Sequence, residues 1–197
     1  MSLPEELPGI TATEDLFRYD IYGLPAELKA WSGDPSQFRL KVDGCVERES
    51  IFNLENLRSD FEPVKVEAVL QCMTRVHWGR VLIRGARLWD VLRACGVQPR
   101  AEKIALHGAE GFSTDLFLRE VAGQPARFLL VYEMNEEPLT GVHGFPVRIA
   151  AIGKYAYKWC KWVIRISVLN YDFKGHYEGK RGWSDTATRG ARVISKP

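Results

Sequence analysis

The sequence predicts an α+β protein built on mixed β-sheets with short flanking helices. Apolar runs of strand length recur at 38–46, 64–70, 103–107, 128–134, 147–152 and 162–169, whereas helical spacing is confined to brief stretches. The two kinds of segment do not alternate as a βαβ series would, which argues against a doubly wound parallel sheet. With 197 residues and 46% hydrophobic content, the chain can bury the core of one large domain. A single domain over 1–197 is expected, led by an extended arm at about 1–35.

Prolines and glycines punctuate that arm, and Phe17, Tyr19, Ile21, Tyr22 and Leu24 are its candidate anchors. Phe38-Arg39-Leu40-Lys41-Val42 alternates and ends in an Asp43-Gly44 turn, which is a strand pattern. Asn53 can cap a helix over 54–58. The strand at 64–70 leaves Cys72 just past its C-terminal end. In 87–95, Leu88, Val91, Leu92 and Cys95 recur at helical spacing and Gly96 supplies the stop. Between the strands at 103–107 and 128–134, residues 115–121 are a candidate helix; Asn135-Glu136-Glu137-Pro138 is a turn. The last two strands follow, and from Asp172 the tail is glycine-rich, aromatic and charged.

A formal net charge of +2 gives no global argument for nucleic-acid binding, so any cationic function has to be local. Four widely spaced cysteines form neither a CxxC pair nor a disulfide framework, and free thiols are expected. No apolar run is long enough to cross a bilayer, and the opening residues carry no export pattern. The location expected is cytoplasmic if Met1 is the native start, and periplasmic if an export signal has been removed.

Two segments could carry chemistry. Cys72 lies in Leu70-Gln71-Cys72-Met73-Thr74-Arg75, where a nearby cation favours the thiolate that a soft metal requires. Taken alone, a lone cysteine after a strand is more often a small buried hydrophobe, and a zinc site from Cys72 and His77 lacks two further ligands. The second segment joins His143-Gly144-Phe145-Pro146-Val147-Arg148 to Tyr155-Ala156-Tyr157-Lys158-Trp159-Cys160-Lys161-Trp162. Tight turns beside cations suit a polar, anionic ligand, with arginine presenting a fork of donors to phosphate oxygens and Gly144 allowing close backbone approach. Solvated side chains on a turn, a cationic strand, or a single-stranded nucleic-acid platform would use the same residue types.

Together these segments resemble the molybdopterin-binding domain of the sulfite oxidase family, over about 17–183 and most strongly from Glu110-Gly111-Phe112-Ser113-Thr114 through Trp162. The resemblance implies that Cys72 is the only protein ligand of molybdenum in a Mo-molybdopterin cofactor. It implies that His143, Arg148, Lys158 and Lys161, with the backbone at Trp159 and Cys160, hold the pterin and its phosphate. The activity implied is a two-electron oxo transfer on a small sulfite, S-oxide or N-oxide type substrate. Where the family follows its cysteine with Ala-Gly-Asn-Arg-Arg, this chain has Met73-Thr74-Arg75-Val76-His77, so Arg75 and His77 are the expected substrate-receiving groups. Near Tyr19-Asp20-Ile21 no family ligand can be carried over, and Tyr171 and Tyr177 are close to, but do not match, the family's tail tyrosine. Neither a haem domain nor an immunoglobulin-like dimerisation domain is expected, so the implied electron partner is a separate protein such as a cytochrome, without dimerisation by the usual family route. A non-catalytic pterin-binding or carrier module is the alternative.

Overall fold

The computed structural model describes residues 9–194. Its strands are β1 (Leu40–Gly44), β2 (Ser50–Phe52), β3 (Pro63–Gln71), β4 (Trp78–Arg87), β5 (Lys103–Gly108), β6 (Ser113–Phe117), β7 (Phe128–Met134), β8 (Glu137–Pro138), β9 (Arg148–Ala151) and β10 (Val163–Leu169). The helices are α1 (Leu28–Gly33), α2 (Leu54–Ser59), α3 (Leu88–Ala94), α4 (Leu118–Gly123) and α5 (His176–Arg181). Two five-stranded sheets result. One has the order β2-β1-β10-β5-β6 and is mixed, because β1 and β10 run parallel while the other pairs are antiparallel. The other runs β3-β4-β7-β8, with β9 also on β7, and is antiparallel throughout.

Strands β5 and β7 read as continuous apolar runs because both their faces are covered. One core joins the sheets and helices; Phe38, Leu88, Leu92, Phe128 and Trp162 are wholly buried in it. A small satellite core of Tyr155, Tyr157, Ala187 and Val193 lies where the tail meets the loop after β9. At α2, Asn53 caps the helix as the sequence predicts, and Asn56 completes a reciprocal capping box. Among the described residues no helix is long and apolar enough to cross a membrane.

Three expectations are corrected. Strand β4 was not anticipated, although Gly79, Val81 and Ile83 alternate inward along it while Arg80 and Arg84 pair outward with Glu67 and Glu133. Residues 113–117 are strand and only 118–123 helix, since β6 pairs in register with β5 and buries Asp115. In the arm, Leu16, Phe17 and Trp31 pack on the core, while Tyr19, Ile21, Tyr22 and Leu24 stay exposed; residues 1–8 lie outside the described chain.

Candidate functional site

A cavity of ≈ 420 Å³ opens between the arm, the β3–β4 loop, the turn before β9, the loop after β9 and the tail. Cys72, His143, Arg148, Trp159 and Lys161 all line it. Residues more than 70 positions apart thus share one wall, which no local pattern in the sequence could establish.

Cys72 is placed by the hairpin that Gln71 and Trp78 close. Its amide donates to the His77 carbonyl (2.8 Å), and its carbonyl accepts from the Arg75 amide (3.0 Å). Tyr19 and Tyr177 line the cavity with it. A thiolate charge at Cys72 raises the Tyr19 hydroxyl above its ordinary range, and burial, with Cys72 adding to it, does the same to Tyr177. The tight loop forces Arg75 into the left-handed region (φ 66). Its guanidinium turns away from the cavity, donating to the Tyr155 hydroxyl (3.0 Å) and the Ala191 carbonyl (3.0 Å). His77 is exposed and packs beside the rings of Phe17 and Tyr19. Neither residue lines the cavity, so the expected substrate pocket of Arg75 and His77 is not formed.

The opposite end collects positive charge. Gly144 adopts φ 105, and a Cβ there would lie 2.9 Å from the Arg148 Cβ and 3.2 Å from the Lys161 Cβ. Only glycine lets those chains converge. The Arg148 guanidinium is buried and donates to the carbonyls of His143 (3.1 Å) and Trp159 (3.3 Å), while its Nε has no partner. Among the described residues no carboxylate pairs with it, and burial pushes its pKa down to about 10. Burial, reinforced by Arg148 and Lys161, pushes His143 down to about 4, so its imidazole is neutral at pH 7. Lys161 pairs with Asp20, donates to the Val142 carbonyl (3.0 Å) and is likewise lowered by burial. Beside it, Glu110 is raised to about 7 by burial and leaves Oε2 without a partner.

Two other expected ligands lie elsewhere. Lys158 is wholly buried behind the wall and bound to Asp115 and Glu178. Cys160, whose backbone was expected to face the anion, is absent from the cavity lining, and burial raises the pKa of its thiol. Trp159 contributes its ring to the cavity, but its amide is committed to the Ala156 carbonyl (2.9 Å). Conversely, Arg18, Tyr19, Glu110, Tyr177, Arg181 and Trp183 line the cavity without having been assigned a role. Glu110 belongs to the stretch where the resemblance is strongest and was the one most open to being found.

A buried guanidinium without a counter-charge is costly unless an anion completes it. Arg148, with Lys161 beside it, therefore fits the phosphate of a pterin cofactor, and Cys72 offers a soft ligand along the same wall. Among the described residues no group of three or more His, Cys, Asp or Glu is arranged to hold a metal ion, so a metal at Cys72 must bring its other ligands with it.

Residues 27–177 match the family model for the oxidoreductase molybdopterin binding domain. The chain belongs to that family. Molybdopterin is thus the cofactor of this family of oxidoreductases, to which the sulfite oxidases belong. The uncharacterized oxidoreductase YuiH of Bacillus subtilis (strain 168) is 30% identical over 147 residues, covering 74% of this chain and 72% of its own length. A nitrate reductase [NAD(P)H] of Hordeum vulgare is 35% identical over 173 residues, which is 73% of this chain but 19% of that protein. The mitochondrial sulfite oxidase of Drosophila melanogaster is 28% identical over 170 residues, 74% of this chain and 29% of its own. This family member therefore spans about a fifth of the nitrate reductases it matches. The sulfane dehydrogenase SoxCD of Paracoccus pantotrophus shares the fold, with a TM-score of 0.67 at 19% identity over 90% of this chain and 56% of that one.

Proposed function

We propose that this chain is a molybdopterin-dependent oxidoreductase that performs two-electron oxo transfer on a small substrate of sulfite, S-oxide or N-oxide type, with Cys72 as the protein ligand of molybdenum. The observation that carries the reading is one cavity wall holding a thiol at Cys72 and an uncompensated, buried guanidinium at Arg148. When bound, the cofactor supplies the oxo-transfer chemistry and the electron storage.

The residues of the chain do the rest. Arg148 and Lys161 hold the anionic end, and a neutral His143 offers one ring nitrogen as acceptor and the other as donor. Glu110 can exchange a proton near neutral pH. Tyr19 and Tyr177 keep their hydroxyl protons well into the alkaline range and can donate hydrogen bonds to an oxygen atom presented beside Cys72. Aromatic and apolar side chains, among them Phe17, Phe112, Tyr177 and Trp183, limit water at that point. Electrons are exchanged with a redox centre outside this domain.

The test is to purify the protein from a host that makes the cofactor, measure molybdenum by elemental analysis, and record EPR spectra after reduction and after adding oxo-donor substrates. Stoichiometric molybdenum with a reversible paramagnetic signal supports the reading. Metal-free protein, or bound pterin without redox change, points instead to a carrier.

A further inference from the structure

We propose that Lys158 and Glu178 are positioning residues whose buried ion pair fastens the tail segment bearing Tyr177 and Trp183 against the domain, so that those two rings form the wall of the cavity beside Cys72. The inference rests on reading that cavity as the site, but not on the presence of metal.

Helix α5 has six residues, too few to hold its shape by its own hydrogen bonds. Its position must come from what it docks against. The backbone at Gly175 lies so close to β6 that a Cβ there would sit 2.6 Å from the Ser113 carbonyl oxygen. The Thr114 hydroxyl donates to Glu178 Oε1 (2.8 Å). The Lys158 ammonium reaches Glu178 Oε1 (2.5 Å), Asp115 Oδ1 (3.0 Å) and the Asp115 carbonyl (2.9 Å), using its donors on these three acceptors. The side chains of Lys158, Asp115 and Glu178 are all fully buried. A second buried ammonium, Lys103, pairs with Asp115 and also reaches the tail carboxylates of Asp172 (3.2 Å) and Asp185 (3.5 Å).

Asp172 and Asp185 bracket the two rings that matter, and Glu178 lies between them. Tyr177 and Trp183 stack with centroids 4.1 Å apart and planes 5° from parallel, and both line the cavity. A stacked pair with one ring on a short helix and the other just past its end could slide over an apolar surface at little cost. A buried ammonium cannot lose its carboxylate without remaining charged and unpaired, which selects one docked arrangement over its neighbours. The three-residue 3-10 turn Ala156–Lys158 aims Lys158 away from the cavity and toward that tail. Lys158 therefore serves the site through Glu178, and Lys161 faces the cavity itself.

The experiment uses the cofactor-free full chain and the variants Glu178→Ala, Lys158→Met and the near-isosteric Glu178→Gln. Amide hydrogen exchange is followed by mass spectrometry, together with labelling of each cysteine by a bulky maleimide. In Glu178→Ala and Lys158→Met, lost protection should be confined to 172–194. Labelling of Cys72 should rise about tenfold as the wall opens, while Cys95 and Cys160 stay slow. Glu178→Gln, which keeps an acceptor for Lys158 and Thr114, should fold even if the other two do not, and show the same changes in smaller measure. Protection lost throughout the sheets, or Cys72 labelled at the wild-type rate, would overturn the proposal. Neither readout needs molybdenum, so a chain that never takes up the metal can still pass this test.

Discussion

Replacing Arg148 by methionine should separate stability from cofactor binding. In the cofactor-free protein the guanidinium is buried without a carboxylate, and its pKa has fallen from the ordinary arginine range to about 10. That fall corresponds to about 3 kcal/mol held against the folded state. The sign follows from the depressed pKa of a base. The penalty is present in full below the folded pKa of about 10 and is relieved as pH rises from there through the unfolded arginine range, so at pH 7 all of it applies. Methionine removes the penalty and fills most of the volume, but it leaves the carbonyls of His143 and Trp159 without their donors, at about 1 kcal/mol each. The net expectation is a cofactor-free protein more stable by about 1 kcal/mol, seen as a rise of roughly 2–4 °C in Tm. The same change deletes a charge-assisted bond to the bound anion worth about 1.5–3 kcal/mol, a loss of roughly ten- to hundredfold in affinity. Differential scanning calorimetry at pH 7 reads the first effect, and molybdenum and pterin content after purification reads the second. A cofactor-free variant destabilised by more than about 2 kcal/mol would show the guanidinium to be a structural strut. Unchanged cofactor content would remove it from the site.

The remaining predictions concern protons and the residues beside Cys72. His143 titrates at about 4 in the folded chain, below its ordinary range. Its contribution to stability is thus present above about pH 6.5 and lost as pH falls toward 4. His143→Gln should flatten urea-unfolding stability over that window, and an unaltered slope would contradict it. Glu110 behaves in the opposite sense, being raised to about 7. The stability it contributes is present below about pH 4.3 and lost as pH rises through 7, so Glu110→Gln should hold stability steadier across that interval. Arg75→Ala should leave the KM for an anionic oxo-donor unchanged while loosening 190–191, whereas Arg181→Ala, which removes a cation from the cavity lining, should raise it several-fold. Steady-state assays with a dye as electron donor decide between them, and the reverse ranking would restore Arg75 to the substrate.

Strands β5 and β7 were legible because unbroken apolar runs have little alternative to burial on both faces. The Asn53 cap was legible because it is local. Strand β4 was hidden by Arg80 and Arg84, whose charges interrupt the apolar pattern and are satisfied only by Glu67 and Glu133 on neighbouring strands. At the site, residue types suggested an anion pocket, but resemblance rather than periodicity joined Cys72 to His143, Arg148 and Lys161. Lys158 and Lys161 look alike in sequence, three positions apart. Only the buried Asp115 and Glu178 explain why one turns inward while the other faces the cavity. Arg75 leaves the cavity lining for a similar reason, since its left-handed backbone conformation redirects a side chain whose preceding neighbours Met73 and Thr74 line it.

The central claim is that Cys72 ligates molybdenum held in the Arg148 cavity. X-ray absorption at the molybdenum K-edge, on loaded wild type and on Cys72→Ser with its residual metal, tests it most directly. The account predicts a metal–sulfur shell in the wild type with one sulfur more than the variant, while the dithiolene sulfurs persist in both. The same sulfur count in the two proteins would contradict it.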